Sequence, residues 1–384
     1  MTLGAFPGQG DRGRLTSKIS QVDWRLSLVL AAIAGAGILM LYSISGGSWS
    51  PWAGRQLALF GVSFVAMILL AMVDLRFWFA AAYPVYAAGL VLLVGVAVFG
   101  HSSLGAKRWL DLGPVRLQPS EIIKIGLVLA LARFYQGRRA REARWSWWLL
   151  VPVALIGVPA ALVARQPDLG TAILIAATGV GMMILAGLSL RVVIGGLVAT
   201  AAVVPLAFQF VLKAYQRDRL LTFLNPEADR SGAGYHIIQS KIALGSGGLL
   251  GKGFGLGTQS QLNFLPEKST DFIFASLAEE FGFVGCATIL VLYGAVIIMA
   301  LRAASLAHSH FGRLSAAGVT ITFTLCVLIN GAMVMGLAPV VGVPMPLLSY
   351  GGTVMITMMV GFALVQAVRV HRYSEVASGM GALV

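Results

Sequence analysis

The chain has 384 residues, of which 58% are hydrophobic and 11% are charged, and its mean hydropathy is +0.85. Soluble domains carry about 25% charged residues, so this composition excludes a soluble globular protein and predicts an integral membrane protein. The net charge is +13. The two cysteines, Cys286 and Cys326, lie in apolar runs, which argues against a disulfide framework and a cysteine-rich metal site.

Ten segments are apolar enough to span a bilayer, since a spanning helix needs about 20 largely apolar residues. We therefore predict an all-α polytopic membrane protein that forms a single domain over residues 1–384. The first twenty residues are polar and glycine-rich, so we expect the first helix to act as an uncleaved signal anchor. The predicted spans lie near residues 26–45, 57–73, 78–99, 121–136, 146–164, 171–188, 192–212, 271–300, 315–337 and 353–369.

Clusters of Arg and Lys predict the orientation of these spans. The cations that flank the first, fourth, eighth and last spans all fall on one side: Arg12, Arg14, Lys18, Arg25, Arg138, Arg139, Arg141, Arg144, Arg302, Arg313, Arg369 and Arg372. The positive-inside rule then makes both terminal tails, 1–25 and 370–384, cytoplasmic. A second basic set lies on the opposite side: Lys107, Arg108, Arg116, Lys124, Arg165, Arg217, Arg219, Lys241, Lys252 and Lys268. Either an anionic ligand or the ordinary translocation of long loops accounts for the second set.

Two long loops are predicted on the extracytoplasmic side. The first covers residues 101–120, and the larger covers residues 213–270 between the predicted helices 7 and 8. Loops of that length are usually functional or disordered, and the apolar and aromatic positions of the larger loop favour order. We therefore expect the chemistry of the protein on the extracytoplasmic face.

The glycine-rich run GSGGLLGKGFGLG at residues 245–257 is not a nucleotide-binding loop. The phosphate-loop pattern requires Gly at 246 and Ser or Thr at 253, where the chain has Ser246 and Gly253. A set of tight turns is the favoured interpretation, and the alternative is a backbone that approaches a phosphate. The five histidines show no zinc-ligand spacing, and neither a D-x-D nor a G-x-S-x-G motif is present.

The segment QPSEIIKIG places two charges at the start of the fourth span. Glu121 and Lys124 are three residues apart, so they share one face of a helix and can pair. Pro119 and Ser120 are typical of a helix start. Two interpretations stay open for the pair: a purely structural ion pair, or support for a substrate site, because charges within spans mark functional sites.

The stretch FLPEKSTDFIFASLAEEFGF at residues 264–283 holds four acids. Asp271 could cap the following helix, or it could remove a proton from a sugar hydroxyl within about 3 Å. Glu279 and Glu280 lie about 12 Å further along the helix and are expected to pair with polar groups inside the bundle. Glu267 is assigned only to the loop. One carboxylate with nearby cations suits a lipid-pyrophosphate substrate, whose leaving group needs no general acid.

These motifs resemble the SEDS family (shape, elongation, division and sporulation), and its RodA branch more than its FtsW branch. The resemblance covers the chain from DWRL at 23–26 to the last span, and four stretches carry it: GAKRWLDLGPVRLQPSEIIKIG, RQPDLGTA, GSGGLLGKGFGLGTQSQLNFLPEKSTDFIFASLAEEFGFVG and GVPMPLLSYGG. It implies a peptidoglycan glycosyltransferase of the inner membrane that polymerises lipid II during elongation and releases undecaprenyl pyrophosphate.

The resemblance also implies site residues and partners. The essential acid of the family falls on Asp271, which we interpret as the general base. Residues that bind the pyrophosphate or support the site are Lys107, Arg108, Trp109, Gln118, Ser120, Glu121, Lys124 and Lys268. The implied partners are a class B penicillin-binding protein and the elongation machinery, with no nucleic acid. No cofactor follows from these motifs, and a divalent cation at Asp271 stays open. The alternatives are a lipid II flippase or a non-enzymatic scaffold for the transpeptidase.

Overall fold

The fold is mainly helical. The computed structural model describes residues 15–99, 101–103, 106–111, 116–137, 147–189, 191–192, 194–196, 198, 217, 221–228, 232–265 and 267–374. In chain order its α-helices are α1 Leu15–Gln21, α2 Trp24–Ile44, α3 Ala53–Ala71, α4 Leu75–Phe99, α5 Pro119–Tyr135, α6 Leu150–Arg165, α7 Leu169–Leu185, α8 Ala233–Ser246, α9 Thr258–Gln261, α10 Ile273–Ser305, α11 His310–Val334 and α12 Gly352–Val370. Short 3-10 helices cover Trp147–Leu149 and Pro226–Ala228.

Six helices within the described residues are long and apolar enough to cross a membrane: α2, α3, α4, α10, α11 and α12. Helices α6 and α7 are apolar but shorter. The prediction of a multi-pass membrane protein is therefore confirmed. Every predicted span coincides with one of the helices α2–α7 or α10–α12 except that near 192–212, which lies mostly outside the described residues.

The prediction of an all-α chain is wrong in the first long loop. Residues in 101–117 form a small antiparallel sheet of three strands in the order β1-β2-β3: β1 His101–Ser103, β2 Ala106–Asp111 and β3 Arg116–Leu117. Leu110 pairs with Leu117 across β2 and β3. Turn residues and the short strands left a weak periodicity, so the sequence pattern did not reveal this sheet.

The centre of the bundle is formed by α5, α11 and α12. Nearly every residue of α5 is buried, and the spanning stretches of α11 and α12 are mostly buried as well. Helix α10 is largely exposed along its spanning stretch, where lipid hydrocarbon is the surrounding medium. Charged or amide side chains on α5 and α11 therefore face protein, where hydrogen bonds offset the cost of burial.

Helix α10 is broken at Gly282, whose φ of 62° and ψ of −159° are not helical. The glycine-rich run 245–257 occupies the break. Lys252 and Gly253 donate backbone N–H groups to the carbonyl oxygens of Glu279 (2.9 Å) and Glu280 (3.0 Å), and Phe283 donates to the carbonyl oxygen of Gly248 at 2.9 Å. The run thus supplies hydrogen-bond partners in place of those that the break removes. The backbone groups of Glu279, Glu280 and Phe283 therefore keep a hydrogen bond in an apolar region.

The glycine-rich run forms tight turns, as the favoured interpretation predicted. Gly248, Gly251, Gly253 and Gly255 all have positive φ. A Cβ at Gly251 would overlap the carbonyl oxygen of Glu280, so the contact with α10 admits only glycine there. The described N–H groups of Lys252, Gly253 and Gly255 bind groups of α10. The alternative, a backbone cradle for phosphate, finds no support in this arrangement.

Glu279 and Glu280 tie α10 to the bundle, as predicted. Both are buried, with exposed fractions of 0% and 1%. Glu279 pairs with Lys252 at 2.6 Å and accepts hydrogen bonds from Thr258 and from the Gln259 N–H. Glu280 accepts from the hydroxyl of Ser43, at the end of α2, at 2.6 Å, and from the N–H of Gly255 at 3.2 Å. Both carboxylates are therefore bound by groups of the fold itself.

Residues 335–351, between α11 and α12, fold back into the bundle, and we call them the returning segment. Met345, Leu347 and Leu348 are buried. Tyr293 in α10 donates its hydroxyl to the carbonyl of Pro346 at 2.6 Å, and Gln56 in α3 donates its amide to the carbonyl of Ser349 at 3.0 Å. A Cβ at Gly37 in α2 would overlap the main chain of Leu348. The returning segment therefore lies among α2, α3 and α10 at one end of the bundle, which we call the site end.

The opposite end joins three of the basic segments of the sequence. Arg369 pairs with Asp23 at 2.6 Å, and the N–H of His308 donates to the carbonyl of Arg372 at 3.1 Å. Lys18 donates its ammonium to the carbonyl of Met72 at 3.3 Å. The segments before α2, after α10 and after α12 therefore meet at this one end.

Candidate functional site

Asp271 lies two residues before α10, at the site end, and it is half-buried. The N-cap of α10 is Phe272, whose side chain makes no capping hydrogen bond. The prediction that Asp271 is the N-cap residue is therefore wrong, because α10 begins later than the sequence pattern indicated. The main-chain carbonyl of Asp271 accepts a hydrogen bond of 2.9 Å from the amide of Asn330.

Glu121 and Lys124 form a buried ion pair in the first turns of α5. The distance between Nζ and Oε1 is 2.8 Å, and the two residues are 3% and 4% exposed. Pro119 is the first residue of α5, so the predicted helix start is confirmed. The second oxygen of Glu121, Oε2, is buried and has no hydrogen-bond partner among the described residues. An unpartnered buried carboxylate oxygen is costly, which marks it as the group of this pair that is open to a further ligand or water.

A small cavity of about 30 Å³ lies beside this pair. Its lining combines the start of α5, α7, α11, α12 and the returning segment: Gln118, Glu121, Lys124, Thr171, Leu174, Cys326, Gly342, Val343, Pro344 and Val354. This volume is enough for a water molecule, since one needs about 10–15 Å³ by the same measure. The cavity is far too small for a saccharide, so the saccharide would bind above it.

Gly342 connects Asp271 to that cavity. A Cβ at Gly342 would lie 3.7 Å from Oδ2 of Asp271, and Gly342 itself lines the cavity with Glu121 and Lys124. The structure therefore brings together three of the predicted site residues from two distant parts of the sequence. Asp271 and the Glu121–Lys124 pair face a common region at the site end.

Lys107, Arg108 and Trp109 lie on strand β2, which precedes α5. Trp109 is half-buried and pairs in the sheet with His101. The side chains of Lys107 and Arg108 lie outside the described part of the structure. The strand therefore fixes the backbone position of these two residues. Their role in binding pyrophosphate stays a prediction.

Lys268 is held by its own loop. Its ammonium donates to the carbonyl of Ser260 at 2.6 Å and to Oδ1 of Asn263 at 2.7 Å. Partial burial lowers the pKa of Lys268 from its ordinary value. An ammonium has three donors, so one remains beyond these two bonds. Glu267, in the same loop, accepts a hydrogen bond from the hydroxyl of Thr270 at 2.9 Å.

Gln118 and Ser120 flank the first residue of α5. Gln118 is the N-cap of α5 and lines the cavity, whereas Ser120 is buried, with an exposed fraction of 4%. Both residues therefore lie at the start of α5, beside the Glu121–Lys124 pair.

The sequence pattern did not single out Asn330, Thr171 or Gly342. Asn330 stands alone in the apolar stretch LCVLINGAMV, and a single amide inside a span is a signal that could have found it, because polar groups there are costly. Thr171 and Gly342 give no such signal, because their place in the cavity depends on the packing of α7 against the returning segment.

A metal site is not evident from the donor set. Within the described residues no group of three or more His, Cys, Asp or Glu side chains comes together as metal ligands. Asp271 and Glu121 are carboxylates, but the ammonium of Lys124 already neutralises Glu121. The described donors therefore do not by themselves assemble a dedicated metal centre.

The chain matches the cell cycle protein family FtsW/RodA/SpoVE over residues 23–374, and it belongs to that family. The resemblance that the sequence motifs indicated is thereby confirmed.

The relatives extend over nearly the whole chain. Peptidoglycan glycosyltransferase MrdB of Escherichia coli (strain K12) is 44% identical over 351 residues, which cover 91% of this chain and 94% of that protein. One chain of a solved peptidoglycan synthase complex, described as coordinating polymerization and crosslinking, is 33% identical with a TM-score of 0.79 over 92% of this chain and 99% of that one. Rod shape determining protein RodA of Thermus thermophilus is 30% identical with a TM-score of 0.70 over 92% of this chain and 98% of that one.

Proposed function

We propose that this protein is a peptidoglycan glycosyltransferase that polymerises lipid II into glycan strands during cell elongation. The observation that carries the proposal is the placement of Asp271 beside the cavity of the Glu121–Lys124 pair, in a chain whose relative in Escherichia coli is named as such an enzyme. Membership of the family supports the reaction, and the geometry supports the residues.

In this proposal Asp271 is the general base. It accepts the proton of the 4-hydroxyl of the acceptor GlcNAc, and the oxygen attacks the anomeric carbon of the donor MurNAc as the bond to the pyrophosphate breaks. The configuration inverts, and undecaprenyl pyrophosphate leaves with the electron pair. The other two nearby acids, Glu279 and Glu280, are already bound by groups of the fold. Asp271 instead lies beside the cavity of the Glu121–Lys124 pair, where a carboxylate can meet a sugar hydroxyl and accept its proton.

The cations near the site would neutralise the pyrophosphate. Lys107 and Arg108 reach the site end on β2, and Lys268 keeps one donor beyond its loop contacts. Lys124 is fully paired in charge with Glu121, so it acts on the substrate only together with that carboxylate. Trp109, Gln118 and Ser120 complete the proposed site as support. Positioned charge of this kind stabilises a leaving group where water is scarce.

The proposed topology has ten spanning helices in one domain over residues 1–384, with the large loop 213–270 between the seventh and eighth. Parity supports a seventh span between α7 and the large loop, because α7 runs from the site end to the opposite end, yet the loop that meets α10 is again at the site end. A span near 192–212 would return the chain. The basic residues at the opposite end make that end cytoplasmic by the positive-inside rule. Both termini, 1–25 and 370–384, are then cytoplasmic, and the site faces outward from the inner membrane.

The proposed partner is a class B penicillin-binding protein within the elongation machinery. The solved peptidoglycan synthase complex that contains a similar chain is described as coordinating polymerization and crosslinking, which supports a transpeptidase at the side of this chain. A lipid II flippase and a non-enzymatic scaffold are the competing functions. Neither needs an acid placed at the cavity.

Polymerisation in detergent separates these functions, because there is no membrane to cross. Purified protein would be mixed with lipid II, alone and with its transpeptidase partner, and glycan chains would be resolved on a gel. The proposal predicts chains from the complex. An intact complex that consumes no lipid II would instead favour the flippase or the scaffold.

A further inference from the structure

Asn330 places an amide in the fully buried interior of α11. Its exposed fraction is 0%. Its Nδ2 donates to the main-chain carbonyl of Asp271 at 2.9 Å and to the carbonyl of Val343 at 2.8 Å. A primary amide has two N–H donors, so both are used, each on a different part of the chain. A buried amide in a spanning helix is costly unless such bonds offset it.

The two carbonyl groups belong to the two halves of the candidate site. One is the main chain of the proposed base itself. The other, Val343, lies in the returning segment and lines the cavity beside Glu121 and Lys124. Asn330 therefore joins Asp271 to the wall of the Glu121–Lys124 cavity through one planar group of fixed dimensions.

The surroundings hold this bridge in place. Tyr350 in the returning segment donates its N–H to the carbonyl of Ser269, two residues before Asp271, at 2.8 Å. Leu347 is buried with a φ of 65°. A non-glycine residue keeps such a backbone only where its neighbours over-determine it, and such residues cluster at functional sites. The returning segment is thus a rigid reference against which Asn330 sets the position of Asp271.

We propose that Asn330 is a positioning residue: its amide holds Asp271 in register with the Glu121–Lys124 cavity so that the carboxylate meets the acceptor hydroxyl. This inference rests on the proposed function. Asn330 does not touch the substrate, and it acts through the backbone of the base. A displacement of about 1 Å at the reacting group can cost about a hundredfold in rate.

Asn330→Leu tests the proposal, because leucine matches asparagine in shape but has no donor. We expect kcat for lipid II polymerisation by the complex to fall about 10- to 100-fold, with an apparent KM within about twofold of wild type. Gln366→Leu is the matched control. Gln366 is an equally buried amide, and its Nε2 donates to the carbonyl of Asp23 and to Ser27 at the opposite end. At comparable thermal stability this control should keep its kcat.

A double-mutant cycle with Asp271→Glu measures the coupling between the two residues in the rate of polymerisation. A merely structural role of Asn330 would give no such coupling. The longer side chain displaces the carboxylate, so Asn330→Leu should cost several-fold less in that background than in wild type. Should Asn330→Leu fail to fold, Asn330→Ser, which keeps one short donor, takes its place in the same cycle.

The outcomes separate this inference from the proposed function. If wild type makes no glycan chains, or Asp271→Asn makes them normally, the proposed function fails. If wild type polymerises and Asp271→Asn does not, the inference is overturned by folded Asn330→Leu with an unchanged kcat, by an equal loss in Gln366→Leu, or by rate losses that multiply in the cycle.

Discussion

The acids of the stretch 264–283 differ in their surroundings. Glu279 is buried against Lys252, Thr258 and the Gln259 N–H, and Glu280 against Ser43 and the Gly255 N–H. These bonds fix α10 to the glycine-rich run and to the end of α2. Asp271 lies half-buried beside the cavity. Their places at the start of α10 and within it therefore support a structural role for Glu279 and Glu280 and the proposed role of base for Asp271.

Glu280→Gln should weaken the fold but spare the chemistry. The glutamine keeps one oxygen for Ser43 or Gly255 and loses the charge, so we expect a loss of about 1–3 kcal/mol of stability. The folded fraction should polymerise lipid II at a rate close to that of wild type. Thermal unfolding followed by fluorescence gives the first quantity, and the glycan gel gives the second. A folded Glu280→Gln protein without activity would place this acid in the reaction and contradict its structural assignment.

The Glu121–Lys124 pair allows its structural and functional roles to be separated. Lys124→Met alone strands a buried carboxylate, and we expect it to cost about 3–5 kcal/mol. The double variant Glu121→Gln/Lys124→Met removes both charges and should recover most of that stability, because it leaves no unpaired charge.

Activity then distinguishes the two roles. A site role predicts that the double variant, although folded, polymerises at less than about a tenth of the wild-type rate, a difference of about 1.4 kcal/mol in the barrier. A double variant that regains both stability and full activity would make the pair purely structural. Circular dichroism melting and polymerisation of the same preparations give both quantities.

Among the elements, the break in α10 requires a glycine at one position of the glycine-rich run and not at another. Gly251 has a φ of +82°, and an added Cβ would overlap the carbonyl of Glu280. Gly245, at the end of α8, has no atom within 4 Å of such a Cβ.

Gly251→Ala should therefore destabilise the protein by more than about 1 kcal/mol, whereas Gly245→Ala should be neutral or slightly stabilising in its helix. Thermal midpoints of the two purified variants, measured side by side in one detergent, check this. Equal midpoints would mean that the glycine-rich run does not pack into the break as described.

The elements that the sequence predicted are those with a local signal. Long apolar runs are sufficient for α2, α10 and α12, because the bilayer demands about 20 such residues whatever the neighbours are. The spacing of Glu121 and Lys124 was enough for their pair, since it depends on one helix alone. The N-cap position was predicted wrongly, at Asp271 instead of Phe272, because a sequence pattern does not locate a helix start to within a residue or two.

Other features of the fold needed contacts between distant residues. The break at Gly282 exists because the run 245–257 supplies hydrogen bonds from about thirty residues earlier. The bridge of Asn330 needs the carbonyl groups of Asp271 and Val343 together at one side chain of α11. Contacts between distant residues leave no periodic pattern in a single sequence. The candidate site residues could therefore be proposed one by one, but not which of them lie close together.

At the scale of the whole molecule, charge is divided between the two ends of the bundle. The paired Asp23 and Arg369 lie at one end, and Asp271 lies at the other. Cysteine labelling can test the orientation, because Ser48 and Leu306 are exposed in links at opposite ends. The native thiols, Cys286 and Cys326, lie within spanning helices and give a low background.

We expect a membrane-impermeant thiol reagent to label Ser48→Cys in spheroplasts and Leu306→Cys only after the membrane is opened. This follows from the positive-inside rule applied to the basic end. Labelling of Leu306→Cys in sealed spheroplasts would invert the topology and place Asp271 on the cytoplasmic side, where a lipid II polymerase could not work on exported substrate.

The assignment of Asp271 as the base is tested by lipid II polymerisation with wild type, Asp271→Asn and the control Glu267→Gln, each purified with the transpeptidase partner. Glu267 is an exposed acid four residues earlier in the same loop. We expect Asp271→Asn to fold, bind the partner and lose at least about a hundredfold in rate, while Glu267→Gln stays close to wild type. Normal glycan chains from Asp271→Asn would contradict the assignment of Asp271 as the base.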